Sequence, residues 1–109
     1  MKNRNLTLLL LATLLAFSSF SQIMAQDATI RGFIYEKETG EPVIFTNVYL
    51  FKTSYGAASD VNGYFAITKI PPGDYTLMVT YLGYDTLRMQ VSLKPGQIRS
   101  ENLYLEKSS

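Results

Sequence analysis

From Ala28 to Leu105 apolar and polar residues alternate with a period of two, and a sustained helical repeat never develops. Alternation of this kind predicts strands with one packed face and one solvated face. The first strand runs from about Ala28 to Tyr35, with Ile30, Gly32 and Ile34 on one face and Thr29, Arg31 and Phe33 on the other. A turn over Lys37 to Glu41 follows. Within Pro42 to Phe51, Val43 and Phe45 precede a second strand in which Val48 and Leu50 share a face. Gly56 to Ser59 and Tyr64 to Thr68 flank Asp60-Val61-Asn62-Gly63 and are expected to pair as a short hairpin, because Asn-Gly supplies the positive φ of a tight turn. Tyr75, Leu77, Val79 and Tyr81 alternate with Thr76, Met78 and Thr80 in the most regular run, which belongs at the centre of a sheet. Asp85 to Leu93 follows, inward at Leu87, Met89, Val91 and Leu93. The Lys94-Pro95-Gly96 turn then leads into Gln97 to Leu105, with Leu103 and Leu105 packed.

Seven short strands punctuated by Gly, Pro and Asn turns predict an all-β fold, a seven-stranded Greek-key β-sandwich. A membrane barrel needs at least eight strands of about 9–11 residues with their turns. That exceeds the chain available, so no direct membrane span is expected in it.

The N-terminus has a different pattern. Lys2 and Arg4 precede an almost unbroken apolar run from Leu6 to Phe17, then Ser18, Ser19 and Ser21, which is the layout of a cleavable signal peptide. The run, about 12 residues long, is short for a transmembrane helix, which wants roughly 20. Cleavage is expected between Ala25 and Gln26, with Ile23 at the minus-three position; Ser21, with Ser19, is the alternative. This divides the chain into a signal peptide over residues 1–25, a domain over 26–106 and a polar tail over 107–109. Removing the leader leaves 84 of the 109 residues, enough for one small domain. A domain of that size buries only about 60–65% of its unfolded surface. Its stability is therefore modest, and packing against a larger neighbour would help it.

Loss of Lys2 and Arg4 leaves eight basic side chains against nine acidic ones. With no basic stripe, a nucleic-acid partner is not expected. The chain has no cysteine, so neither a lipoprotein anchor nor a disulfide framework is available to it. Histidine is absent as well, which removes Ser-His-Asp and Cys-His catalysis and a His-ligated zinc site. Glu36, Glu38 and Glu41 cluster about one turn, where they are expected to be solvated. Asp60-Val61-Asn62-Gly63 has its glycine at the fourth position and not the sixth, so it reads as a turn and not as a calcium loop. No catalytic, cofactor-binding or metal-ligating residue is expected. All eight tyrosines fall after residue 25. Most suit half-buried strand positions with the hydroxyl at the rim. Tyr81 and Tyr84, flanking Gly83, form the candidate contact patch.

Ile30-Arg31-Gly32-Phe33-Ile34, Thr39-Gly40-Glu41-Pro42-Val43, Asn47-Val48-Tyr49-Leu50, Asp60-Val61-Asn62-Gly63-Tyr64-Phe65, Pro72-Gly73-Asp74-Tyr75 and Tyr81-Leu82-Gly83-Tyr84 stand in that order. Together they resemble the carboxypeptidase regulatory-like domain over about residues 28 to 105. The resemblance implies a transthyretin-like (prealbumin-like) sandwich. In Bacteroidetes such a domain commonly follows the signal peptide of a TonB-dependent outer-membrane receptor, ahead of its plug and barrel. The Tyr-Leu-Gly-Tyr ending resembles that subgroup. The sequence departs from the family pattern at Thr46, where Ala is common, and at Ser59, where Thr is common. Hydroxyisourate hydrolases share a related sandwich, but the resemblance implies catalytic histidine, which is missing here. Gram-positive adhesin domains that form a Lys-Asn isopeptide bond place a glutamate where this chain has Val79.

The resemblance thus implies a non-catalytic module acting through protein contact in the periplasm or at the periplasmic face of the outer membrane. Its expected partner is a receptor plug and barrel or another envelope protein. With the sequence ending at Ser109, the favoured expectation is a truncated or fragmentary receptor. The alternative is a freestanding exported accessory domain associated with a peptidase or glycan-handling protein.

Overall fold

Strand β1 (Ala28–Glu36) organises the molecule. Its alternation buries Ala28, Ile30, Gly32, Ile34 and Glu36 and leaves Arg31 and Phe33 exposed. The structure, a computed structural model, describes residues 5–13 and 26–109. The remaining strands are β2 (Asn47–Leu50), β3 (Gly56–Ala58), β4 (Tyr64–Ile70), β5 (Gly73–Thr80), β6 (Leu87–Leu93) and β7 (Ile98–Leu105). They form a three-stranded sheet of order β4-β1-β7 and a four-stranded sheet of order β3-β2-β5-β6. The expected all-β sandwich of seven strands is what the chain forms. β5 lies between β2 and β6, the central place its regular alternation suggested. Local alternation gave no sign that β1 and β7 run parallel, in register from Thr29↔Ile98 to Glu36↔Leu105.

The inward faces meet in one core. Ile30, Ile34, Phe65, Ile70, Leu103 and Leu105 from one sheet pack against Val48, Leu50, Leu77, Val79, Val91 and Leu93 from the other. Every buried apolar side chain among the described residues lies between Ala28 and Leu105, whereas the helix over residues 5–13 is exposed along its length. Residues 26–109 therefore close the sandwich by themselves. Gln26 already belongs to it, since its carbonyl accepts the Gly96 N–H at 3.1 Å. The expected cleavage point after Ala25 lies outside the described residues.

One expectation fails. The segments on either side of Asp60 do not form a hairpin, because β3 bonds to β2 and β4 bonds to β1 in the opposite sheet. The turn itself is as expected: the Asp60 carboxylate accepts the N–H groups of Asn62 (2.9 Å) and Tyr64 (3.0 Å), and Gly63 has φ 77. What redirects the chain is its anchoring on each side. Ser59 exchanges backbone hydrogen bonds with Phe45 and Thr46 ahead of β2, while Tyr64 pairs with Phe33 and sets its ring 5.4 Å away. The tight turn thus crosses between sheets.

Candidate functional site

β1, β3, β5 and β7 finish where β2, β4 and β6 begin, as the pairs Asn47↔Ala58, Asn47↔Thr80, Phe33↔Tyr64 and Glu36↔Leu105 record. The β1–β2, β3–β4 and β5–β6 connections and the residues after β7 consequently gather at one end of the sandwich. That end carries Ile44, Phe45, Val61, Tyr81 and Leu82, with exposures of 39, 64, 67, 38 and 96%. Scattered exposed apolar residues are ordinary, but a concentration of them on loops over a rigid scaffold is typical of a contact surface.

The Tyr81-Leu82-Gly83-Tyr84 corner is built from beneath. Tyr84 N–H donates to the Tyr81 carbonyl at 3.1 Å, closing a turn with Leu82 at its tip. The half-buried Tyr84 donates its hydroxyl to Glu36 Oε2 at 2.9 Å. Lys107 Nζ lies 3.3 Å from the other oxygen, Oε1, an ion pair that lacks hydrogen-bond geometry. The hydrogen bond to Glu36 raises the Tyr84 phenol above its ordinary value and burial adds to it. The adjacent Glu36 carboxylate also raises the Lys107 ammonium, against the burial that lowers it. Beyond β7 the chain stays on this corner: Asp85 N–H bonds to the Glu106 carbonyl at 2.9 Å, and Ser108 N–H to the Gly83 carbonyl at 3.0 Å. Lys37 and Glu106 pair at 2.7 Å nearby, their hydrogen bond raising the lysine and lowering the carboxylate.

The two tyrosines singled out from the sequence do come together, with ring centroids 5.6 Å apart. Their positions differ, however. Tyr84 roots the corner, Tyr81 is open, and the residue between them, Leu82, is the most exposed of the large apolar side chains described.

Beside this corner, Phe45 has φ 55, an outlier for a bulky side chain. Ser59 holds it there. Phe45 N–H donates to the Ser59 carbonyl at 2.9 Å, Thr46 N–H to Ser59 Oγ at 2.8 Å, and that hydroxyl to the Val43 carbonyl at 2.8 Å. Thr46 and Ser59, the two departures from the family pattern, are both fully buried, and Thr46 Oγ1 has no hydrogen-bond partner among the described residues. Sequence reasoning placed Phe45 with Val43 ahead of the second strand and Val61 within the Asp60–Gly63 turn, and singled out neither. The available signal was Val43-Ile44-Phe45, three successive apolar residues that break the period of two.

The other chemistry-bearing residues have structural roles. Glu36 is buried and bonded, contrary to the expectation that the three nearby glutamates are all solvated; Glu38 and Glu41 are exposed. Tyr64, Phe33, Tyr35 and Tyr104 form a continuous aromatic row on the outer face of the three-stranded sheet, with neighbouring centroids 5.4, 6.0 and 5.9 Å apart. Tyr75 donates to the Pro71 carbonyl at 2.6 Å, and burial followed by the charge of Tyr55 raises its phenol. Among the described residues no cluster of His, Cys, Asp or Glu could hold a metal ion, and no helix is long and apolar enough to cross a membrane.

Comparison with known proteins places this geometry. The family model for the CarboxypepD_reg-like domain matches residues 30–109, and the chain belongs to that family, whose domain is a non-catalytic β-sandwich. No curated protein matches the chain. Among solved structures, a chain of a type II cohesin–X–dockerin complex from Acetivibrio cellulolyticus is similar at TM-score 0.62 and 24% identity, covering 72% of this chain and 56% of its own. The Bacillus anthracis TIE protein is similar at TM-score 0.61 and 15% identity, covering 75% of this chain and 17% of its own. A hydroxyquinol 1,2-dioxygenase from Pseudomonas putida is similar at TM-score 0.61 and 12% identity, covering 77% of this chain and 57% of its own. Likeness at these identities establishes the shared sandwich alone.

Proposed function

We propose that this CarboxypepD_reg-like domain is a non-catalytic contact module of the bacterial cell envelope, seating its apolar loop end on another protein. The observation that carries the reading is the gathering of Ile44, Phe45, Val61, Tyr81 and Leu82 on loops braced by Ser59, Glu36 and Tyr84. Burying a side chain such as Leu82 on a partner contributes roughly 1.5–3 kcal/mol. Loops already held in place lose little entropy on docking. In finer detail, the domain is the N-terminal module of a TonB-dependent outer-membrane receptor and works on the periplasmic side, with the receptor plug and barrel as its partner. Support comes from the signal-like leader over residues 1–25, from a sandwich that begins at Gln26, and from the order of the family motifs.

The test places a photo-crosslinking amino acid at Leu82, with Arg31 on the outer sheet face as the control position. An envelope-fraction crosslink from Leu82 to an outer-membrane β-barrel receptor, weakened by Phe45→Ser, is the expected result. Equal crosslinking from both positions, or residence of the protein in the cytosol, would overturn the proposal.

A further inference from the structure

The two sheets have four edge strands, and three of them are blunted. β3 is three residues long. β4 carries Lys69 at φ 57, and its pairing with β1 shifts register between Ala28 and Ile30. β7 turns Arg99 and Glu101 toward the interior side, where they pair at 2.9 Å. Short length, irregularity and inward charges are the devices that stop an edge from pairing with another chain. β6 has none of them. It is seven residues long, contains no proline or lysine, and pairs with β5 without a shift from Gly73↔Leu93 to Val79↔Leu87. Apart from its ladder with β5, β6 receives no backbone hydrogen bond from another segment among the described residues.

We propose that β6 pairs antiparallel with β6 of a second copy of this chain, centred on Gln90. That register sets Leu87 opposite Leu93 and Met89 opposite Val91, so the half-buried Leu87 and Met89 gain apolar neighbours across the junction. It also sets Arg88 opposite Ser92, whose hydroxyl donates to Asp74 at 2.6 Å. Arg88 and Asp74 have no ion-pair partner among the described residues, and across the junction the long arginine reaches toward the second copy's aspartate. The two Arg88 side chains stay apart by four positions, about 14 Å. Like charges therefore never face each other, and the edge is complementary to itself, as a two-fold contact requires. Seven paired residues bury less than the roughly 1,200 Å² of a stable interface, so the dimer is transient and concentration-dependent. This contact lies on the edge of the four-stranded sheet and does not depend on the loop end.

Sedimentation velocity over a dilution series of residues 26–109, with amide hydrogen exchange at each concentration, tests the pairing. Dimers should grow with concentration while β6 amides become slower to exchange and β7 amides do not. Arg88→Glu, at an exposed position, should weaken dimerisation about tenfold by setting like charge against Asp74. Adding Ser92→Lys to that variant should restore it. A monomer at every soluble concentration, protection at β7 in place of β6, or a dimer indifferent to the charge exchange would overturn the proposal.

Discussion

Replacing Ser59 with alanine removes one oxygen atom and leaves two buried groups without partners. Ser59 is 1% exposed, and its hydroxyl both accepts the Thr46 N–H and donates to the Val43 carbonyl, each at 2.8 Å. Neither group has another hydrogen-bond partner among the described residues. A buried donor or acceptor left unsatisfied costs about 1–3 kcal/mol, so the pair predicts a loss of about 2–6 kcal/mol, near the lower figure if the Val43–Thr46 backbone relaxes. The whole stability of a small domain is about 5–15 kcal/mol. At about 4–8 °C per kcal/mol for a domain of this size, Tm should fall by about 8 °C or more. Urea unfolding of residues 26–109 followed by far-UV circular dichroism measures the change directly. A loss under about 0.5 kcal/mol, with an unchanged slope, would refute the reasoning, since that is the scale of an ordinary surface substitution.

Thr46→Val should move stability the other way, by about 1 kcal/mol, because it keeps the volume while removing a buried hydroxyl that has no partner; thermal unfolding shows the sign. Gly32→Ala should prevent β1 from pairing with β7, since a Cβ there would lie 1.6 Å from the Glu101 carbonyl oxygen. The expected loss exceeds about 4 kcal/mol, visible as loss of dispersed amide resonances. The Tyr84 phenol, raised above 10.0 chiefly by its hydrogen bond to Glu36, should titrate late in a difference spectrum against Tyr84→Phe, and Glu36→Gln should bring the midpoint down. Because the folded-state value is the higher one, the contribution of this bond is complete below pH 10 and disappears as pH rises through the folded midpoint.

Local patterns carried the strands and their faces because side-chain period and burial are coupled residue by residue. Ile30 and Ile34 are inward and Phe33 outward for a reason visible within five residues. Partnership between strands is a different quantity. Asp60-Val61-Asn62-Gly63 specified a turn, but whether that turn joins neighbours or crosses between sheets depended on Ser59 meeting Thr46 and Tyr64 meeting Phe33, contacts that a short window does not contain. Tyr84 was legible as a corner residue from its place beside Gly83. Its task was not, since Glu36 lies 48 positions away and a glutamate near a turn is usually solvated. The same limit hid Phe45, which looks like core until the backbone turns it outward.

Phe45 also separates two accounts of the loop end. Positive φ costs a residue of this shape roughly 1–3 kcal/mol, and exposing its ring forgoes the burial that would otherwise offset the strain. An asparagine or glycine would satisfy the backbone of such a position more easily. The bracing from Ser59 is therefore opposed by the residue it holds, and folding stability alone gives no reason for a phenylalanine there. Leu82 has the same character, an apolar side chain at the tip of a turn anchored through its neighbour to a buried carboxylate. The proposed contact accounts for both side chains, which stand outside the core at the same end of the sandwich on loops held by backbone and side-chain hydrogen bonds.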